Sequence, residues 1–462
     1  MSSYLALTVG GLEPLCAEEI TTALGSQAWS CSIQLITSQQ AVAPGQAGVG
    51  KLQVTTNAPP ESLRSIPSVM LWFAFVACHE LQEEARKEQF LRSIQTVLSN
   101  IIQHKKEHWD MVADTWATWL GGGKCAPETF RCTTLRDHGV EGSRSVKHTG
   151  TSLQISAALG DIIVQELKWR VSLNEYDAEL VCFLSGSSLT LGLALHHRHQ
   201  ILSKNIKLPT LRPRGLTHAG LRTTLRPSTA HLMIRLALSK SQATTTTASP
   251  PAHAQVLLDP MCGVGTIPII SAMHGGFGVG GDIEAAASEE MGMNLKDVPS
   301  VPCDGCRWEV QALPLRSSCI DAVACDMPFG AACGKSSLLK QQVYPAALHE
   351  MARVLRPGGK AVLLSGSPSW IKAGLEWESS IPSQTVNIGG LRVVLLVMTR
   401  SQQAVMNTPE KDQNRRVQIK KQRLQAIDIE ASEKRKREGA QEEGGSQPSR
   451  PCPPSSGSVT SA

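Results

Sequence analysis

Apolar runs, turns and helical spacings of apolar residues follow one another repeatedly in the second half of the chain. Three apolar runs end at Asp259, Asp282 and Asp326, and a helical spacing follows at residues 344–355. A glycine-interrupted apolar stretch at residues 386–398 indicates a final pair of strands. Strand-helix units that repeat in this way predict a mostly parallel, doubly wound α/β sheet.

The first half of the chain has a different pattern. Residues 4–9 and 50–55 alternate like strands, with a helical spacing between them. This order predicts a small ferredoxin-like α+β module, and residues 81–119 predict a helical extension of it. After the glycine run at 121–123, a strand, a long helix and a hairpin across residues 176–195 predict a second small unit.

Composition restricts the class of protein. The 462 residues are 41% hydrophobic and 18% charged, which predicts a globular protein of two or three domains. No secretory signal opens the chain and its 13 cysteines are scattered, so we expect a reduced, cytoplasmic protein, with the nucleus as an alternative. The longest apolar runs are too short for a membrane span, so no membrane partner is expected.

Basic side chains concentrate between residues 196 and 226, where the sequence has no acid. This pattern is typical of phosphate contacts, although a solvated linker is the alternative. The candidate RNA-binding residues are Arg198, Lys204, Lys207, Arg222 and Arg226. Residues 401–462 have a composition that cannot bury a core, and predict a disordered charged tail. Its basic run at 434–437 fits a nuclear address, an RNA contact or a merely solvated segment.

A glycine loop follows the first of the apolar runs, in the order Asp259-Pro260-Met261-Cys262-Gly263-Val264-Gly265-Thr266. Strand, glycine turn and helix N-terminus in this order favour a nucleotide-like ligand, but the loop alone fits a tight turn equally well. Asp282 ends the next strand about twenty residues on, where a carboxylate can hold ribose hydroxyls.

A later strand ends in Asp326-Met327-Pro328-Phe329-Gly330. An acid, a rigid proline and an aromatic ring at a carboxyl strand end suit a flat substrate that forms hydrogen bonds. Cys303 and Cys306 form the one CxxC pair in the sequence. Zinc normally needs four ligands, so we interpret the pair as two loop cysteines and expect no metal.

Together these motifs resemble the THUMP-domain guanine-N2 RNA methyltransferases, from about residue 5 to residue 400. The resemblance implies a class I (Rossmann-like) methyltransferase domain at 255–400, after a ferredoxin-like module at 1–120, a THUMP RNA-binding domain at 124–200 and a basic linker at 201–254. It also implies S-adenosyl-L-methionine as cofactor. The implied cofactor-binding residues are Asp259, Cys262, Gly263, Gly265, Thr266, Asp282 and Glu309.

Within that set, the resemblance assigns Asp282 to the ribose hydroxyls and Glu309 to the adenine amino group, where the family usually has Asp. A guanine amino nitrogen is a poor nucleophile, because its lone pair is delocalised into the ring. Asp326 and the Met327 or Pro328 carbonyl could accept its N–H bonds while Phe329 stacks on the base, so that rate comes from positioning and electrostatics. Asp326, Pro328 and Phe329 are therefore the candidate catalytic residues.

The resemblance implies tRNA as substrate, near the acceptor stem, and a small zinc-containing activator subunit as partner. Two segments depart from the family, an insertion at about residues 207–216 and a less basic run at 331–334. A spliceosomal small nuclear RNA is the alternative substrate. A nicotinamide-dependent dehydrogenase and a catalytically inactive RNA-binding protein are the alternatives from other classes.

Overall fold

The structure is a computed structural model, and the helices and strands below come from the part of the chain that it describes. The described residues are 1–36, 49–80, 87–103, 106–137, 151–185, 188–195, 224–239, 254–328, 342–366, 377–388 and 391–402. The tail and most of the basic linker, including Lys204, Lys207 and Arg222, lie outside them, as do Arg198 and Phe329.

One eight-stranded sheet is formed by the chain up to residue 194, in the order β2-β3-β1-β4-β8-β7-β5-β6. Its strands are β1 Ser2–Thr8, β2 Cys31–Leu35, β3 Gly50–Thr56, β4 Leu71–Glu80, β5 Thr129–Asp137, β6 Arg170–Val171, β7 Ala178–Ser185 and β8 Ser188–Ala194. The first four strands are antiparallel to their neighbours, whereas β5 runs parallel to β6 and β7.

The two predicted units of this region share that sheet, because β4 pairs with β8 from Phe73 opposite Ala194 to Glu80 opposite Ser188. The antiparallel pairing of β7 with β8 agrees with the predicted hairpin. The predicted domain boundary near residue 120 stays a prediction. The described strands before and after it belong to one continuous sheet.

Five helices accompany the first sheet, and their ends follow from local sequence. They are α1 Glu13–Gly25, α2 Pro60–Arg64, α3 Lys87–Gln103, α4 Lys106–Leu120 and α5 Ser152–Leu167. The start of α5 is a capping box, in which the Thr151 hydroxyl accepts the Gln154 amide and the Gln154 side chain accepts the Thr151 amide. Among the described residues, no helix is long and apolar enough to cross a membrane.

A seven-stranded sheet follows, in the order β11-β10-β9-β12-β13-β15-β14. Its strands are β9 Val256–Asp259, β10 Phe277–Asp282, β11 Cys303–Arg307, β12 Ile320–Asp326, β13 Leu355–Ser365, β14 Trp377–Ile388 and β15 Leu391–Arg400. Neighbours from β11 to β13 are parallel, and β15 is antiparallel to both β13 and β14. The mostly parallel α/β sheet is thus confirmed.

The helices of this second region are α6 Pro227–Leu238, α7 Thr266–Met273, α8 Ala285–Asp297 and α9 Tyr344–Val354. The central strand β12 is a nearly continuous buried apolar run, as expected of a parallel strand covered on both faces. Its carboxyl end lies beside that of β9, so the polar residues that end these strands meet at one edge.

The loop after β1 joins the two sheets. Val9 and Leu12 are buried in the same apolar cluster as Val386 of β14. Gly10 forms an isolated antiparallel bridge with Asn387, whose amide donates to the Gly10 carbonyl at 3.0 Å. Gly11 has φ 92°, and a Cβ there would lie 2.5 Å from the Thr385 carbonyl oxygen, so this position requires glycine.

Candidate active site

The loop between β9 and α7 is shaped by two glycines in the left-handed region, Gly263 with φ 52° and Gly265 with φ 85°. A Cβ on Gly265 would lie 2.6 Å from Met291 Cγ, so the loop packs tightly against α8 there. A Cβ on Gly263 would meet nothing within 4 Å. The loop is therefore closed on the side of α8 and open above Gly263.

Asp282, at the end of β10, is bonded to this loop. Its Oδ2 accepts the Gly263 amide at 2.9 Å, and its Oδ1 accepts the Glu284 amide at 3.0 Å. The sequence predicted that these two residues serve one ligand, and the structure brings them into contact. A half-buried carboxylate now lies at the rim of the open space above Gly263.

Cys262 and Thr266 have buried side chains. The Cys262 thiol lies 3.5 Å from Met291 Sδ, so it is directed into the protein interior, and burial raises its pKa. Thr266 begins α7. No contact of these two side chains bears on their predicted role toward a cofactor.

Asp326 lies at the carboxyl end of β12. Its Oδ1 is buried and has no hydrogen-bond partner among the described residues. Burial raises the pKa of this carboxyl to about 7. An unpaired buried carboxylate oxygen is costly in a folded protein, and such groups concentrate where a ligand supplies the missing partner.

The two residues after Asp326 have separate environments. Met327 is buried, and its amide donates to the Leu364 carbonyl at 3.0 Å, which continues the pairing of β12 with β13. The Pro328 carbonyl accepts the Tyr344 hydroxyl from the first turn of α9. This contact fixes the turn that leads to the undescribed Phe329, and the sequence did not predict it.

Asp259 completes a group of three acids at the ends of the adjacent strands β9, β10 and β12. It is 2% exposed, and its Oδ1 accepts the Met261 amide at 3.1 Å. Burial, with smaller contributions from the charges of Asp326 and Asp282, holds its pKa well above the usual range. Asp259 is thus close enough to the other two acids for their charges to oppose its ionisation.

Glu309 precedes a 3-10 turn, Val310–Ala312, and is half-buried. The preceding residue, Trp308, ties this segment to the glycine loop, since its Nε1 donates to the Pro260 carbonyl at 3.0 Å and its amide donates to the Asp282 carbonyl at 3.1 Å. The sequence did not single out Trp308. The feature of the sequence that relates to Trp308 is the glycine at position 281. The structure explains this glycine, because a Cβ there would lie 2.3 Å from the Trp308 ring.

The structure provides fewer contacts for the other predicted binding residues. Arg226 is half-buried at the start of α6, with its Nη1 3.3 Å from Met70 Sδ, and the other four basic candidates lie outside the described residues. Cys303 and Cys306 lie on the edge strand β11, so the interpretation of the pair as loop cysteines is wrong. Within the described ranges, no three His, Cys, Asp or Glu side chains are grouped so as to hold a metal ion.

Comparison with known proteins bears on this arrangement. Residues 293–393 match a family model described as RMKL-like, methyltransferase domain. This part of the chain is therefore similar to a methyltransferase domain. The crystal structure of TrmN from Thermus thermophilus is similar over 87% of this chain and 100% of that chain, with a TM-score of 0.57. At 19% sequence identity, that similarity shows the fold alone.

Two relatives extend the comparison beyond the methyltransferase domain. The Mus musculus tRNA (guanine(6)-N(2))-methyltransferase THUMP3 is 30% identical over 296 residues, 58% of this chain and 52% of the relative. The Bos taurus U6 snRNA (guanine-N(2))-methyltransferase THUMPD2 is 28% identical over 231 residues, 48% of this chain and 39% of the relative. The predicted resemblance is thereby confirmed. The chain spans about half the length of the two tRNA methyltransferase relatives from Mus musculus and Homo sapiens that it matches.

Proposed function

We propose that this protein methylates the exocyclic N2 of a guanosine in tRNA, with S-adenosyl-L-methionine as methyl donor. The observation that carries the proposal is Asp326, whose buried Oδ1 has no hydrogen-bond partner within the described chain. It lies one strand away from the glycine loop that follows β9. The reaction requires a methyl donor next to a group that accepts hydrogen bonds from the amino group.

The residues present fit this cofactor. The open space above Gly263 admits a ligand against the backbone, and the neighbouring Asp282 carboxylate suits ribose hydroxyls. In the proposal, the floor of the site is formed by Asp259, Cys262, Gly263, Gly265 and Thr266. Glu309 accepts a hydrogen bond from the adenine amino group. When bound, the cofactor supplies a methyl group on a positively charged sulfur.

Asp326 has two roles in the proposal. Its Oδ1 accepts one N–H of the guanine amino group, beside a main-chain carbonyl, and so directs the nitrogen lone pair toward the methyl carbon. A carboxylate with a pKa of about 7 can also take the proton that the nitrogen loses as the N–C bond forms. The Pro328 carbonyl retains a second lone pair beside the Tyr344 hydroxyl. Phe329 stacks on the base.

The first region serves RNA binding in this proposal. Its first four strands and first two helices follow the β-α-β-β-α-β order with antiparallel neighbours, which supports a ferredoxin-like module. Residues 124–200 are proposed as the THUMP domain. Arg198, Lys204, Lys207, Arg222 and Arg226 would contact phosphates. Unstacking the target base costs on the order of a few kcal/mol, and phosphate contacts can provide this free energy.

A small nuclear RNA is the second candidate substrate, because the relatives include U6 snRNA methyltransferases. We further propose the cytoplasm as the site of action, with the nucleus as alternative, and a small zinc-containing activator subunit as partner. The third possibility, an RNA-binding protein without activity, predicts RNA binding without cofactor binding.

The test is methyl transfer from labelled cofactor to unmodified tRNA and to U6 small nuclear RNA transcripts, with and without the activator subunit. Labelling of tRNA in preference to the small nuclear RNA supports the proposal. Labelling of the small nuclear RNA alone favours the second candidate. If neither RNA is labelled and the protein binds RNA but not S-adenosylhomocysteine, the enzymatic proposal is wrong.

A further inference from the structure

A buried ion pair on α9 lies next to the segment that carries Glu309. Glu350 and Arg353 are 4% and 2% exposed, and Arg353 Nε donates to Glu350 Oε1 at 2.8 Å while Nη2 donates to Oε2 at 2.9 Å. Burying two charges is costly unless they are paired and their remaining polar atoms are bonded. Both members of this pair also form hydrogen bonds with one stretch of chain.

That stretch is the connection between β11 and β12. Glu350 Oε2 accepts the Leu313 amide at 2.8 Å, and Arg353 Nη2 donates to the Leu313 carbonyl at 3.2 Å. Arg353 Nη1 donates to the Leu315 carbonyl at 2.8 Å and to Ser317 Oγ at 3.3 Å. All five N–H bonds of the guanidinium are thus used, three of them on this connection.

Glu309 is therefore held from both sides. On its amino-terminal side Trp308 bonds to Pro260 and Asp282, and on its carboxyl-terminal side Leu313 bonds to the ion pair. A side chain can make a selective hydrogen bond only if its backbone is fixed to within a fraction of an ångström. The ion pair anchors the carboxyl-terminal side of this segment.

We propose that Glu350 and Arg353 are positioning residues that set the selectivity of the site for the adenine base, by holding Glu309 toward the adenine amino group. The inference rests on the proposed function, since it assumes a cofactor containing adenosine. It goes beyond that function by assigning base selectivity to two residues that themselves do not touch the cofactor.

The test compares dissociation constants by calorimetry for S-adenosylhomocysteine and S-inosylhomocysteine. Inosine replaces the amino group with a carbonyl oxygen, so Glu309 loses a donor and meets an acceptor. We expect the wild type to prefer the adenosine compound about tenfold or more, the value of one charge-assisted hydrogen bond. Glu309→Ala should abolish the preference, and Glu350→Gln and Arg353→Lys should reduce it to about threefold or less.

Arg356→Met is the matched control. Arg356 pairs with Asp321 at the amino end of β12, opposite the site, so this variant loses an ion pair on the same stretch of sheet and should keep the wild-type preference. A preference that stays at the wild-type value in folded Glu350→Gln and Arg353→Lys overturns the inference. So does a wild type that binds both compounds equally, whereas a wild type that binds neither overturns the proposed function instead.

Hydrogen exchange on the unaltered protein gives an independent measurement if the variants do not fold. The Leu313 amide, bonded to Glu350, should exchange more slowly with S-adenosylhomocysteine than with S-inosylhomocysteine at saturation, because only the former engages Glu309. Equal exchange rates with the two compounds contradict the inference.

Discussion

Glu19 is a buried acid of the first region, and Asp326 is a half-buried acid of the second region with one buried oxygen; their surroundings are opposite. Glu19 Oε1 lies 2.6 Å from His231 Nε2 and 3.1 Å from Arg235 Nη1, and its Oε2 accepts the Ser68 amide at 3.2 Å. Burial opposes ionisation of Glu19, but the hydrogen bonds from His231 and Ser68 and the charges of His231 and Arg235 together outweigh it and lower the pKa to about 2. Burial of Asp326 has no such opposition and raises its pKa to about 7.

The difference separates a structural acid from the acid that we propose to be functional. Glu19 of α1 bonds to two residues of α6, so it ties the first sheet to the helix that packs on the second. Asp326 Oδ1 bonds to no described residue, and the cost of leaving it unpaired is tolerated at the edge where the strands end. Pairing, rather than burial, therefore distinguishes the acid that holds the fold from the acid available to a ligand.

The largest expected effect is on activity in Asp326→Asn. The amide keeps the shape but removes the charge that orients and deprotonates the amino group, so we expect kcat to fall by about 10²–10³-fold. The thermal midpoint should not fall, because the variant removes an unpaired buried charge. A loss of stability with activity retained would show that Asp326 is structural, and would break the comparison with Glu19.

Glu19→Gln should do the reverse. Removing one partner from a buried ion network leaves Arg235 short of an acceptor and costs about 3 kcal/mol of unfolding free energy. The affinity for S-adenosylhomocysteine should change little, since Glu19 contacts no residue of the site. Chemical denaturation and calorimetry measure the two quantities. A large loss of affinity with unchanged stability would contradict the structural role.

Asp282→Asn tests the rim of the site. This substitution keeps an oxygen for the Gly263 amide but removes the charge that suits ribose hydroxyls, so we expect the dissociation constant for S-adenosylhomocysteine to rise about tenfold. Asp321→Asn, at the other end of β12, is the control and should leave the affinity unchanged. Equal affinities for wild type and Asp282→Asn would remove Asp282 from the proposed site.

The smallest effects are in the pH dependence of stability, where the two acids have opposite signs. Glu19, with a pKa lowered from 4.5 to about 2, contributes stability that is present above pH 4.5 and is lost as the pH falls toward 2. Asp326, with a pKa raised from 3.8 to about 7, binds its proton more tightly when folded, so its cost grows between pH 3.8 and 7 and is then constant.

The stability gained by Asp326→Asn should accordingly increase from about pH 4 to pH 7 and then level off. The loss in Glu19→Gln should shrink as the pH falls below about 4.5. Unfolding free energies of the wild type and both variants across pH 3 to 8 measure these slopes. A slope of the same sign for both residues would contradict their assigned environments.

Local patterns in the sequence predicted the second sheet and the core of the site. The strands that end at Asp259, Asp282 and Asp326 are short apolar runs with turn signals beside them, and parallel packing brings such strand ends to one edge. The contacts that support the site were not predictable in the same way. Trp308 reaches back to Pro260, and Arg353 reaches back to Leu313, through tertiary packing that no spacing along the chain encodes.

The first region shows the same limit. Strands β1, β3 and β5 and the hairpin followed from alternation, whereas β2 was not predicted. The pairing of β4 with β8 joins residues far apart in sequence, so the sequence predicted two units where the structure has one sheet. Arg226 illustrates the limit for charge. The sequence places Arg226 in a basic segment that is predicted to contact phosphates. In the structure Arg226 is half-buried beside Met70.

The measurement that tests the central claim most directly is mass spectrometry of nucleosides from unmodified tRNA incubated with S-adenosylmethionine and activator subunit, for wild type and Asp326→Asn. The account predicts N2-methylguanosine with the wild type, and at least about a hundredfold less with the folded variant. Equal amounts of N2-methylguanosine with both proteins, or a methylated base other than guanine, would contradict it.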